Sequence, residues 1–546
     1  MPKSTLISTL IFLLALSVQP LFACTSILVS KGASADGSVM ITYSCDGEFH
    51  PRLRYIPAAD HESGEEIDIR DWSGKLRGKI AQAAQTYAVY GLMNEYQVAV
   101  GETTFGGREE LENPDGLLNY WTLMRLALQR AKTARAAIRV ITGLVEEYGY
   151  GGPGESISIA DKNEAWLLEI IGKGKGGSGA VWVARRIPDG FICASANASV
   201  IGEFPMHDPD CIYSPDVVSF AEKKGYYDPE TDGPFRFNEA YCPMTPQKIR
   251  YTATRVWSIL RRAAPSLKLS ADYNRGIRGA KRYPLWVKPD KKLSVHDVMS
   301  LMRDHYEGTP LDMTKGVVAG PFHSPQRWRP MTWKVKGSKA DFSWERPIST
   351  QQTGFSFVSQ SRTGLPDAIG GVFWYGLDNT WTTCYVPFYC SNSTVPEPYA
   401  VGTLGKFSMN SAWWVFNLVS NYAELKWSYM DKDIRRVRDE LEGRFLTVQP
   451  AVEETALALY KKDPKSAVAW LDDYSNARAM EVYNRWVALF GELVVKYNDG
   501  YVMDAKGRHR EVGYPEDWLE KVHKLQPGRY ELPDWNDDKI EKKLLY

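Results

Sequence analysis

Histidine is scarce: eight residues in 546, scattered, with no H-E-x-x-H pair. The helix-borne zinc motif of many metallopeptidases is therefore excluded. Neither charge is in surplus, since 66 basic residues balance 66 acidic ones without a basic tract or an acidic tail. That removes the electrostatic basis for a nucleic-acid partner or an anionic membrane surface. Beyond the first residues no apolar run approaches the roughly 20 residues of a membrane helix, so the mature chain is expected to be soluble, with no membrane contact. What is present is a folding composition: 44% hydrophobic and 12% aromatic residues, with 18 Trp spread along the chain. That exceeds what one core usually absorbs, which predicts a large catalytic domain and an added subdomain.

The opening residues differ from the rest. Lys3 precedes an apolar stretch from Leu6 to Val18, Gln19 and Pro20 break it, and Ala23 is the small residue that precedes a signal-peptidase cut. Residues 1–23 read as a secretory signal, which predicts a periplasmic or extracellular protein whose new amino terminus is Cys24. Seven cysteines are present. With Cys24 set aside as a reactive thiol, an even six remain, and disulfides, including a short Cys384–Cys390 loop, stand beside buried free thiols as readings.

The middle of the chain reads as hairpins. Thr25 to Ser30 and Ser38 to Tyr43 flank a turn, as do Tyr87 to Leu92 and Gln97 to Thr104, and Ser156 to Ala160 and Ala165 to Ile171. Repeated hairpins predict antiparallel sheets rather than βαβ units. Helical periodicity appears at Trp121, Met124, Leu128 and Ala131, and again at Ile138, Ile141, Val145 and Tyr148 before Gly149. From about Ser411 onward the pattern becomes long and helical. The expected organisation is a signal peptide over 1–23, a catalytic domain over 24–410 and a helical subdomain over 411–546.

Two motifs lead nowhere. Gly172, Gly174 and Gly177 match G-x-G-x-x-G, but Ala180 to Arg185 reads as a strand where a dinucleotide site needs a helix amino terminus. The group His207, Asp208, Asp210 and Cys211 has no fixed ligand spacing and reads as a polar loop. No cofactor and no metal is expected.

A cysteine nucleophile needs a base. His323, in Gly320-Pro321-Phe322-His323, is the only histidine in a tight loop, and nothing around Cys24 matches a papain-type signature. A terminal cysteine carries its own base, because the α-amine titrates at about 7.7–8.0 and the thiol at about 8.5. The N-terminal threonine hydrolases work in that way.

Cys24-Thr25-Ser26-Ile27-Leu28-Val29 followed by Asp36-Gly37-Ser38 resembles the start of the PepD-like dipeptidases, N-terminal-nucleophile hydrolases related to choloylglycine hydrolases and penicillin V acylases. Gly91-Leu92-Met93-Asn94-Glu95, Glu164 to Ile170, Trp182 to Asp189 and Ala196-Asn197-Ala198 are similar to later family segments. So are Gly308 to Asp312, Gly320-Pro321-Phe322, Gln360-Ser361-Arg362 and Tyr385 to Tyr389. The resemblance runs to about Tyr422. It implies an α+β fold, the αββα sandwich of antiparallel sheets, with a helical C-terminal extension. It also implies a dipeptide or short peptide as substrate and leaves a homo-oligomer open. Cys24 would be the nucleophile and Asp46 the carboxylate orienting its amine. Asn94 (backbone N–H) and Asn197 (side-chain amide) would form the oxyanion hole.

One departure stands out. Relatives place Arg-Asn before the aspartate, whereas this chain has Tyr43-Ser44-Cys45-Asp46, so the cation beside Cys24 must come from elsewhere, with Arg52 and Arg362 as candidates. Two other readings remain: an acyl amidase of the choloylglycine or penicillin V type, and a lipoprotein anchored through Cys24, for which Leu21-Phe22-Ala23-Cys24 would be the cleavage box.

Overall fold

The computed structural model describes residues 24–532, so the signal-peptide reading of residues 1–23 lies outside the described residues. The first and third expected hairpins form, and the second forms with a shifted turn, Val89–Tyr90 pairing with Met93–Asn94 and the turn falling after Asn94. Ser26–Val29 pairs antiparallel with Val39–Asp46, Gly154–Ala160 pairs with Ala165–Gly172, and Ala99–Gly106 pairs with the short strand Met93–Asn94. The glycine-rich stretch leads into strand Ala180–Arg186, which pairs back onto Ala165–Gly172, as a hairpin loop requires.

These strands build two sheets. The first has seven strands, with Ser26–Val29 and Val39–Asp46 near its centre, flanked by Ile192–Ser195 on one side and Thr353–Ser361 on the other. The second has eight strands, with Ala99–Gly106, Gly154–Ala160 and Ala165–Gly172 in its middle. The sheets face each other where Val39–Asp46 meets Ala99–Gly106 and Gly154–Ala160. That contact is tight, because a Cβ on Gly101 would stand 2.8 Å from the Cβ of Tyr43. Only glycine permits this approach.

Helices cover both outer faces, giving the four-layer α+β sandwich that the sequence resemblance implied. Tyr120–Arg130 and Ala134–Tyr148 bury Leu123, Leu126, Ile138 and Ile141 against the second sheet. Asn119 and Thr133 cap their amino termini by accepting from Thr122 and Ala136 N–H, and Gly149, at φ 77°, ends the second helix. Pro246–Ala263 packs on Ile192–Ser195 from the opposite side of the molecule.

The C-terminal helices Ala412–Ala423, Trp427–Tyr460 and Pro464–Tyr497 lie on the first sheet. Their buried Trp413, Phe445 and Trp486 belong to the same apolar cluster as Cys24, Ile27 and Phe388 of the sheet. Arg303, in the turn after helix Val295–Leu301, makes a two-pronged ion pair with Glu442, at 2.5 and 3.0 Å. Among the described residues no helix is long and apolar enough to cross a membrane.

Candidate active site

Cys24 stands directly ahead of strand Ser26–Val29 and is fully buried between the two sheets. Its N–H donates to Asn197 Oδ1 at 2.9 Å and its Sγ lies 3.2 Å from Glu102 Oε1. Tyr43 donates its hydroxyl to that same carboxylate oxygen and is 3.9 Å from the sulfur. Tyr43 and Cys45 alternate with Ser44 along one strand, so both point toward the second sheet, where Glu102 sits. The sulfurs of Cys24 and Cys45 and a carboxylate oxygen of Glu102 all lie within 4.8 Å of one another.

Two buried arginines border this group. Arg255, on helix Pro246–Ala263, donates to the Cys24 carbonyl at 2.7 Å, to Thr25 Oγ1 at 3.0 Å and to Asn197 Oδ1 at 2.9 Å. Arg346 donates to Asp46 Oδ2 at 2.5 Å and to the Tyr251 hydroxyl at 2.5 Å. Thr353 donates to the other Asp46 oxygen at 2.6 Å. Burial pushes Arg255 down to about 10, with Arg346 adding to the effect, and it remains a cation at neutral pH. Burial also lifts Asp46, against the opposing pull of Arg346 and Thr353.

Burial raises the Cys24 thiol well above its ordinary value, with Cys45, Glu102 and Asp46 pushing the same way. A neutral thiol is therefore the resting form while the Cys24 nitrogen is a peptide amide. Behind Glu102, burial and the Glu102 charge raise the Glu155 carboxyl well above its ordinary value. Thr104 bridges the two carboxyls, donating to Glu155 at 2.8 Å.

The structure brings three of the four expected residues to this centre. Asn197 does so with its geometry reversed from expectation: the carbonyl oxygen faces Cys24 and Arg255, and the amide donates to Thr104 O at 2.7 Å. Its left-handed backbone, φ 56°, turns the side chain inward after strand Ile192–Ser195. Asp46 makes no bond to Cys24 and lies beside the centre, its charge acting on the sulfur while its partner Arg346 shares the Tyr251 ring with Arg255. Asn94 makes no bond to the Cys24 cluster. Its N–H donates to Val98 O, its side-chain oxygen accepts from Tyr96 and Val98 N–H, and its amide donates to Leu128 and Ala131 carbonyls. Those bonds close a hairpin and tie it to the end of helix Tyr120–Arg130.

The two candidate arginines are elsewhere. Arg52 donates to Gly402 O, and Arg362 pairs with Glu453. His323 bonds Thr314 O and faces Asp517. All seven cysteines are free thiols, so of the two readings the buried free thiols hold, and Cys390 donates to Asp367 O at 3.2 Å.

A buried cysteine bordered by a carboxylate, a tyrosine and two arginines, between the two sheets of an αββα sandwich, defines a thiol hydrolase centre. Residues 23–440 match the model of peptidase family C69, and the chain belongs to that family. It is 27% identical over 395 residues to a "Probable dipeptidase" of Salmonella dublin, an alignment covering 68% of this chain and 82% of that one. It is also 26% identical over 521 residues to "Probable dipeptidase B" of Streptococcus pyogenes serotype M1, covering 90% and 97% of the two chains. A "Probable dipeptidase" of Latilactobacillus sakei is 26% identical over 424 residues, covering 74% and 81%. The enzyme is a cysteine-type peptidase.

Proposed function

We propose that the protein is a secreted dipeptidase, periplasmic or extracellular, whose nucleophile is Cys24 at the amino terminus left by removal of residues 1–23. The observation that carries this is the placement of the Cys24 nitrogen. It is as much a part of the site as the sulfur, held 2.9 Å from Asn197 Oδ1. Cleavage after Ala23 converts that amide into an amine in the same position. The amine takes the Sγ proton, and an ammonium beside a thiolate relieves the repulsion that Glu102 and Cys45 impose on the sulfur.

The thiolate attacks the peptide carbonyl, forming a C–S bond as the carbonyl oxygen becomes an oxyanion. Collapse breaks the C–N bond, and the ammonium returns its proton to the departing amine. Water, deprotonated by the freed amine, hydrolyses the thioester and restores the thiol. Asn197 and Arg255 position the amino terminus through one shared oxygen and the Cys24 carbonyl. Asp46, fixed by Arg346 and Thr353, supplies the negative charge that keeps both arginines in place.

Burial of the sulfur between the sheets weighs against lipidation at Cys24, since a thioether-linked lipid would displace Glu102 and Tyr43. The test compares the mature enzyme with Cys24→Ala on a panel of dipeptides and acyl amides. Hydrolysis of dipeptides by the wild type alone supports the reading. Turnover retained in Cys24→Ala, or confined to acyl amides, overturns it.

A further inference from the structure

Cys45 has no part in the hydrolytic steps, yet the fold places it against the nucleophile. Thr25 and Ser44 exchange backbone hydrogen bonds at 3.4 and 3.0 Å, and further along the same hairpin Leu28 pairs with Ile41. That register sets Cys24 opposite Cys45 at the adjoining non-hydrogen-bonded position, where Cα atoms are about 4.5 Å apart and side chains lie closest. Glu102 completes a triangle from the other sheet, its Oε1 3.2 Å from Cys24 Sγ. All three donor atoms are mutually within 4.8 Å. Tetrahedral zinc, with bonds of about 2.3 Å to sulfur and about 2.0–2.2 Å to oxygen, sets its ligand atoms roughly 3.5–3.8 Å apart. The triangle is within about an ångström of that spacing.

We propose that Cys24, Cys45 and Glu102 form a binding site for a soft divalent cation of the Zn²⁺ class, and that its occupancy blocks the nucleophile. Two thiolates and a carboxylate suit such an ion better than Mg²⁺ or Ca²⁺. The outer partners are in place: the Tyr43 hydroxyl donates to Glu102 Oε1, and Thr104 Oγ1 approaches Oε2 at 3.4 Å, so the carboxylate is already oriented. Binding forms two metal–sulfur bonds and releases both thiol protons to water, so affinity rises with pH. The freed Cys24 amine is the natural fourth donor; that donor and the blocking of the nucleophile rest on the functional reading above, and the three-ligand site does not.

The test titrates Cd²⁺ into the mature enzyme, held reduced by a phosphine, and follows thiolate-to-metal charge-transfer absorption, with Zn²⁺ as competitor and dipeptide hydrolysis read in parallel. One equivalent is expected to bind the wild type and inhibit it. Cys45→Ala and Cys45→Ser should each lose about half of the absorption and bind more than about tenfold more weakly, with Glu102→Gln also weakened. Thermal unfolding without metal checks that each variant is folded. Absence of a stoichiometric band in the wild type, or an unchanged band and affinity in both Cys45 variants, overturns the proposal. Cd²⁺ binding without any peptide hydrolysis would instead sink the functional reading and leave the metal site standing.

Discussion

Asn197 Oδ1 accepts the Cys24 N–H at 2.9 Å, joining a loop after strand Ile192–Ser195 to the residue just ahead of the first strand, 173 positions earlier. Arg255 donates to the same oxygen, so one amide group fixes both the nucleophile's nitrogen and the cation beside it. Asn197→Ala removes the acceptor from both. Hydrogen bonds to charged groups contribute about 1.5–3 kcal/mol, so kcat/KM should fall about 10- to 150-fold with the fold intact. Steady-state kinetics and circular dichroism on the same sample check this. Unchanged kinetics would remove Asn197 from the machinery.

Asp46 and Arg346 are both almost wholly buried, with side-chain exposures of 0% and 3%. Breaking such a pair strands a charge, which typically costs about 3–5 kcal/mol. Arg346→Ala should therefore lower stability by about that amount in denaturant titration and reduce activity together with it. Thr353→Ala removes a single donor to Asp46 and should cost about 1 kcal/mol.

Glu169 holds the loop that carries Asn197, accepting from the Val200 N–H at 2.6 Å, the Ile201 N–H at 3.2 Å and the Ser199 hydroxyl. Burial raises its carboxyl to about 7. The folded state thus keeps a proton that the unfolded chain releases near pH 4.5. This contribution to stability is complete below the unfolded value and is lost as pH rises through about 7. Between those limits the loss is on the order of 3 kcal/mol for this group. Melting curves across pH 4 to 8 should show a stability term in the wild type that falls in this window and is absent in Glu169→Gln.

Arg303 and Glu442 join the catalytic layers to the helical C-terminal part, with exposures of 6% and 1%. Glu442 also accepts the Tyr385 N–H at 2.8 Å. Glu442→Ala leaves that N–H without its acceptor and the guanidinium without its counter-charge, held only by the Thr380 and Thr383 carbonyls. It should destabilise the whole protein by about 3–5 kcal/mol in one cooperative transition. Separate melting of the helices, with the sheets unaffected, would contradict a shared core.

The hairpins, the two helices over the second sheet and the α+β class were legible because alternation, turn residues and the Gly149 stop are local signals. The site was only partly so. Asn94 entered through the family resemblance as a backbone N–H donor, and nothing local in a hairpin asparagine shows that this N–H closes onto Val98 O. Glu102 was missed, although a carboxylate in the otherwise uncharged run Val98 to Thr104 of a central strand was a visible signal. Arg255 was equally visible, lying with Thr252, Val256 and Ile259 on the buried face of its helix. Arg346 carried no such mark, because its partner Asp46 lies 300 residues away and the pair exists only once strand Thr353–Ser361 docks on Val39–Asp46. The Trp413 to Tyr497 periodicity announced helices but not their burial against the first sheet, since periodicity identifies an apolar face without naming what covers it.

The most direct test of the central claim is the mass of the amino-terminal peptide of the active, purified enzyme. A peptide beginning at Cys24 with a free amine and an unmodified thiol, whose alkylation abolishes hydrolysis, is the predicted result. An active enzyme that retains residues before Cys24, or that carries acyl mass on its nitrogen or sulfur, would contradict the assignment of Cys24 as both nucleophile and base.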